Sequence, residues 1–265
     1  MSRNKNKTNL GLAGLFVLLV CGLIALSLLL KVFFVFKESK FDGSHSFIVG
    51  FVGQNQTKLV SFNPQNKTMS IIDVKVSLDK NMLAKALEVP IDGVLKVGKN
   101  VEDKDIAPLL LKSASPFSNS LEGLTFIDAF RLSIFAKSVQ AGSIYKRNFS
   151  TDLNDAQKST ILALSFTDPT IYQENQGIQI INASDAFGVG SRLASLITDI
   201  GGNPILVTTA DNPQNASKII YYKQESYTVK RLSDYLGFPA EESDKKGIAD
   251  VIIIIGKDKI SKPNF

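Results

Sequence analysis

From Leu10 to Leu30 the chain reads LGLAGLFVLLVCGLIALSLLL, 21 residues without a charge. No other stretch restricts the fold as strongly, because a helix rising 1.5 Å per residue over this length crosses a hydrocarbon core about 30 Å thick. The reading is an uncleaved membrane-spanning helix. A cleaved signal peptide is the rival, since both begin with a basic head. The run exceeds the usual signal core of about 7–15 residues, and no small-residue cleavage site follows. Val32-Phe-Phe-Val-Phe36 prolongs it and reads as the outer interface of the anchor. Cys21 follows Val20, too large for a lipoprotein processing site, so the thiol reads as membrane-buried. Arg3, Lys5 and Lys7 precede the span. The positive-inside tendency therefore keeps residues 1–40 as a cytoplasmic tail and anchor, with residues from about 41 onward outside.

The basic balance belongs to that anchor. The chain has 30 basic and 25 acidic residues; six basic residues and one acid lie in the first 40, which leaves 24 of each sign beyond them. An outer part without net charge lacks the basic footprint of a nucleic-acid binder, so no nucleic-acid partner is expected. The one cysteine permits no intramolecular disulfide.

The outer part reads as α+β in two blocks. In the first, 41–168, Ser46 to Val52 and Lys58 to Phe62 are β runs, Asn63-Pro-Gln-Asn66 is a turn, and Thr68 to Val74 returns as a hairpin strand. Helical spacing follows at Met82, Leu83 and Leu87, and again from Phe126 to Val139 with Asp128 near the start. Residues 169–176 are assigned to a polar linker, and Ile161 to Phe166 could add one more strand to the first block.

The second block, 177–265, opens with a β run at Ile178 to Ile181. Val189, Leu193, Leu196, Ile197 and Ile200 then share one helix face, closed by Gly201-Gly202. Gly188-Val-Gly190 stands where a phosphate-binding loop would. A dinucleotide fold, however, needs glycines directly after the strand and a third at 193, which is Leu. No cofactor is expected. The glycines read as easing a close approach of loop to sheet, and Ser184 or Asp185 as the helix cap. Strands at Ile205 to Thr209 and Lys218 to Tyr222, a helix from Tyr227 to Leu236 stopped by Gly237, and a strand at Asp250 to Gly256 complete a β-α-β-β-α-β domain, read as a split βαβ unit.

These segments, IQIINASDAFGVGSRLASLITDIGGN, SKIIYY, SYTVKRLSDYLG and ADVIIIIGKD, resemble in order the LytR C-terminal domain of bacterial envelope proteins. In the first block TKLVSFNPQNKTMSIIDV and ALEVPIDGVLKV are similar to a shortened LytR-CpsA-Psr domain, whose enzymes transfer lipid-carried polymers to the cell wall. That chemistry needs acidic metal ligands and arginines on a pyrophosphate. Where the family carries such residues this chain has Gly53-Gln-Asn-Gln56 and Lys75-Val-Ser-Leu78, and its outer arginines, Arg131, Arg147, Arg192 and Arg231, stand elsewhere.

Other chemistry finds no partners. His45 is the single histidine and makes no metal site or triad alone. Glu102, Asp103 and Asp105 lack calcium-loop spacing and read as a solvated loop. No catalytic residue and no metal site is assigned. The resemblance implies a membrane-anchored, non-enzymatic envelope protein that binds a cell-wall polymer or another envelope protein. The alternative is a phosphotransferase attaching lipid-linked polymers, which convergence of Lys75, Asp79 and Arg131 in one pocket would favour. The expected ligand contacts are Asn182, Ser184 and Arg192, at a loop that meets a helix N-terminus.

Overall fold

A computed structural model describes residues 5–75, 87, 89–115, 117–149 and 153–259. Met82 and Leu83, expected to be helical, and Asp79 lie outside the described residues. Two compact units result, Met1–Lys40 and Phe41–Phe265. The first is helix α1 (Lys5–Glu38), 34 residues. Within it Ala13–Glu38 is long and apolar enough to cross a membrane.

The second unit holds two sheets. Strands β1 (Phe47–Val52), β2 (Thr57–Asn63) and β3 (Thr68–Val74) form an antiparallel meander that agrees with the expected β runs and turn. Three strands without a clear apolar alternation join it: β4 (Gly93–Lys96), β5 (Leu121–Glu122) and β6 (Ile144–Phe149). The order is β5-β4-β1-β2-β3-β6, with β4 parallel to β1 and β6 parallel to β3. Helices α2 (Ile106–Ser113) and α3 (Phe126–Ser138) cover one face through Ile106, Leu110, Ala129 and Leu132. The start of α3 is fixed by a capping box in which Thr125 and Asp128 satisfy each other's backbone N–H.

The other face is covered by α4 (Asp155–Phe166), whose Leu162 and Phe166 pack over Leu59 and Ile72. Ile161 to Phe166 is therefore helix, and the strand reading of it is corrected. Asn154 and Gln157 form a second capping box that starts a helix across the whole run. The segment 169–176 contains α5 (Pro169–Glu174), capped by the Asp168 side chain, with proline at the start where its missing N–H costs nothing.

The second sheet contains β7 (Gly177–Asn182), β8 (Asn203–Thr209), β9 (Lys218–Tyr222), β10 (Ala240–Ser243) and β11 (Val251–Ile255), in the order β10-β9-β11-β7-β8. Helices α6 (Val189–Asp199) and α7 (Tyr227–Leu236) pack on it around Leu193, Leu196, Val229 and Leu232. The expected β-α-β-β-α-β string therefore lacks one strand. β10 reads AEES, with both glutamates exposed, and lies at the sheet edge, so it carries no burial pattern for the sequence to reveal. The split βαβ reading is corrected too. β7 lies directly beside its parallel partner β8, and β9 beside β10, with no strand between them. β11 is central, parallel to β7 and antiparallel to β9, as its five β-branched residues suggested.

The two sheets are joined inside the unit. Arg231 on α7 holds Asp92, just before β4, through both nitrogens at 2.6 and 2.9 Å. The His45 ring stacks on Tyr227 at 4.1 Å between centroids. The Tyr227 hydroxyl donates to Asp168 at 2.8 Å, and Ser159 of α4 donates to Asp199 of α6 at 2.9 Å. Burial, then the Asp168 charge, raises the Tyr227 pKa, so this hydroxyl remains a donor.

Candidate functional site

The loop between β7 and α6 is built from its own side chains. Asn182 and Ser184 are both buried, at 8% and 6% exposure. The Asn182 Oδ1 accepts from the Ser184 N–H at 3.1 Å and from its hydroxyl at 2.6 Å. The Asn182 amide donates to the Ala186 carbonyl at 2.8 Å, and the Ala186 N–H donates to Ser184 Oγ at 3.3 Å. This network folds the loop back on itself. Neither Ser184 nor Asp185 caps α6. The N-cap is Gly188, at φ 78° and with no side-chain cap bond, a left-handed conformation that glycine adopts freely. Gly190 meets the expectation of close approach, since a Cβ there would sit 3.1 Å from Val207 Cγ1. Arg192 is half-buried on the first turns of α6, so the three residues lie on one loop and helix start, with two of them committed to the turn.

At Gly53 to Gln56, the first of the two stretches marked by the resemblance of the first block, the structure shows neutral groups in backbone service. The Gln56 side-chain amide donates to the Val101 carbonyl at 2.9 Å, and the Gly53 N–H donates to the Gln56 carbonyl at 2.9 Å. Asn55 N–H donates to Asn100 Oδ1 at 3.3 Å. Lys75 is exposed just after β3. The Arg131 guanidinium donates to the Phe41 carbonyl at 3.0 Å. Asp79 lies outside the described residues, so the convergence of Lys75, Asp79 and Arg131 is not resolved.

One charged cluster escaped the sequence reading. Lys58 on β2 has a buried side chain paired with Asp73 on β3 and, at 2.8 Å, with Asp103, which also holds Lys146 at 2.7 Å. Asp103 is therefore the hub of a network, not part of a solvated loop. Lys58 stands opposite Asp73 in the β2–β3 register, a cross-strand signal visible once the hairpin is drawn. Burial works against the Lys58 ammonium, yet hydrogen bonds to Asp103 and Asp73 and their charges hold its pKa above the ordinary lysine value. Burial likewise opposes ionised Asp103, and the bonds from Lys146 and Lys58 outweigh it, so its pKa is lowered. Opposite charges satisfied pairwise in this way make a structural clamp. Among the described residues no group of three or more His, Cys, Asp or Glu side chains could hold a metal ion.

Comparison with known proteins places the second block. Residues 176–258 match the family model of the LytR cell envelope-related transcriptional attenuator, the LytR C-terminal domain that the four sequence segments resemble. No curated protein matches the sequence. Among solved structures, TagT of B. subtilis aligns at 15% identity and a TM-score of 0.32, over 46% of this chain and 91% of its own. TagV of B. subtilis aligns at 11% identity and a TM-score of 0.20, over 75% of this chain and 99% of its own. At TM-scores this low neither superposition carries an argument about fold or activity.

Proposed function

We propose that this chain is a membrane-anchored envelope protein whose outer unit binds a cell-wall polymer without transferring it. The LytR C-terminal domain at 176–258 and an apolar N-terminal helix of spanning length support an envelope protein facing outward from the membrane. The basic residues at 3, 5 and 7 support a cytoplasmic N-terminus.

The observation that carries the non-enzymatic reading is Gln56. Where polymer transferases of the resembled type place charge, this residue is neutral, and its amide is bonded to the Val101 carbonyl. Stabilising a pyrophosphate leaving group requires cations or metal ligands aimed at the developing charge. Arg231 is bound to Asp92, and the Arg131 and Arg147 guanidiniums donate to Phe41 and Ser165. The test is turnover. The full chain in lipid vesicles, given a lipid-pyrophosphate-linked oligosaccharide and acceptor wall, leaves the donor intact; release of the lipid pyrophosphate or phosphate would make it a transferase.

A further inference from the structure

The α4 face of the first sheet changes character toward the β2–β3 turn. Leu59 and Ile72, opposite each other, are buried under α4. Two residues further along each strand, the same face carries Ser61 opposite Ser70, and then Asn63 opposite Thr68. Because β6 is parallel to β3, Tyr145 pairs with Ser70, and Ser61, Ser70 and Tyr145 form one row across three strands. The end of α4 and the short helix α5 stand over this row and bring Ser165, Tyr172 and Gln173 to it. The cleft between them has a volume of about 410 Å³. Gln65 from the hairpin turn donates to Thr170 on α5 at 2.6 Å and ties the two walls together.

Hydroxyl and amide groups make up most of the lining, Leu164 and Pro169 add apolar surface, and two rings are open to solvent, Tyr145 at 47% exposure and Tyr172 at 67%. None of the lining residues carries a carboxylate, an ammonium or a guanidinium. Behind the wall, Arg147 donates to Ser165 Oγ at 3.2 Å and lies 5.9 Å from the Tyr145 ring centre. The Ser165 hydroxyl thus accepts from Arg147 and still has a proton to donate. A well-packed core would place apolar side chains at Ser61 and Ser70, where they would continue the Leu59 and Ile72 layer.

We infer that this cleft is a binding site for uncharged sugar units of a glycan. Such a ring offers hydroxyls around its edge and C–H groups on its faces. The edge matches the serines, Asn63 and Gln173, and the faces match the aromatic planes of Tyr145 and Tyr172. An anionic polymer would meet no cation in this lining. The site is on the hairpin-turn end of β2 and β3, away from Gln56, which precedes the first residue of β2. The inference rests on the reading of the protein as a polymer binder and names the chemistry of what it binds.

The experiment uses the full chain in detergent micelles, with chitotetraose as a neutral N-acetylated probe and polygalacturonate as an anionic one. Saturation-transfer NMR and titration calorimetry read the binding, and pelleting with purified sacculi is measured in parallel. Chitotetraose binds and polygalacturonate does not. Tyr172→Ala and Tyr145→Ala each weaken binding about tenfold, the size of one lost aromatic contact. Tyr172→Phe, which keeps the ring, retains it. Unchanged binding in the double alanine variant overturns the site. Pelleting with sacculi without chitotetraose binding also overturns it, and leaves the polymer-binding reading standing. Loss of both overturns both, and preference for polygalacturonate overturns the neutral-sugar assignment.

Discussion

The Arg231 guanidinium grips the Asp92 carboxylate with two nitrogens across 139 residues of sequence, with side chains only 17% and 7% exposed. Asp92 Oδ2 also accepts from the Ile48 N–H at 2.7 Å, so one carboxylate fixes β1 and the C-terminal block together. Removing one partner strands the other in a site with little water. Arg231→Ala lowers the unfolding free energy by about 3 kcal/mol, and Asp92→Ala by more, because Ile48 loses its acceptor as well. Urea unfolding of residues 41–265 measures both. The double variant Asp92→Leu with Arg231→Met loses less than the sum of the single losses, since no unpaired charge remains.

The buried Asp128 carboxylate joins a helix start to the first residue of the second unit. Its Oδ1 accepts from the Phe41 N–H at 2.8 Å, while Oδ2 accepts from the Thr125 N–H at 2.8 Å. Asp128→Ala removes a capping box and orphans a buried N–H, at a cost of about 2 kcal/mol. It also speeds tryptic cleavage after Lys40. Unchanged cleavage would mean that Phe41 is held by its packing alone.

Much of this framework was legible beforehand, and the parts that were not share a cause. The meander from Phe47 to Val74 showed as nearly continuous apolar runs because its strands are buried on both faces, whereas the helix at Phe126 and the α6 and α7 stripes showed because each buries one regular face. β10 is exposed and charged, and β6 has only one buried residue, Phe149, so neither shows a period. Ile161 to Phe166 is too short an apolar run to distinguish strand from helix without its capping box at Asn154. The Arg231–Asp92 pair and the cleft beside Tyr145 join segments far apart in sequence, and no local pattern marks such contacts. Asn182 and Ser184, expected as ligand contacts, have a geometry that serves the turn.

Acid weakens the second unit in a defined window. Burial would raise the Asp42 pKa, but bonds from the Ser44 N–H, from the His45 side chain and from the Ser44 side chain bring it from 3.8 down to about 2. Because the folded value is the lower one, this contribution is present above about pH 4 and is lost as pH falls toward about 2. Asp103, also lowered, acts in the same direction. Asp42 is half-exposed, which keeps its share small. In urea titrations, the stability gap between the wild-type chain and Asp42→Asn narrows from pH 6 to pH 2. A constant gap would show that these bonds do not favour the carboxylate.

Asn182→Ala separates a structural loop from a ligand contact. Oδ1 serves Ser184 and the amide serves Ala186, so the variant loses about 1–2 kcal/mol of stability, seen as a lower melting temperature. Arg192→Ala, on the half-buried start of α6, changes stability by less. Unaltered melting of Asn182→Ala together with weaker retention on wall would assign the loop to a ligand.

The proposed function requires the second unit to hold wall polymer. The most direct measurement is sedimentation of the full chain, solubilised in detergent, with sacculi stripped of protein. If the polymer is its ligand, the chain pellets with the sacculi and stays in solution without them. A chain that remains in the supernatant with sacculi, yet is retained by a membrane-protein extract, would contradict it and make the partner a protein.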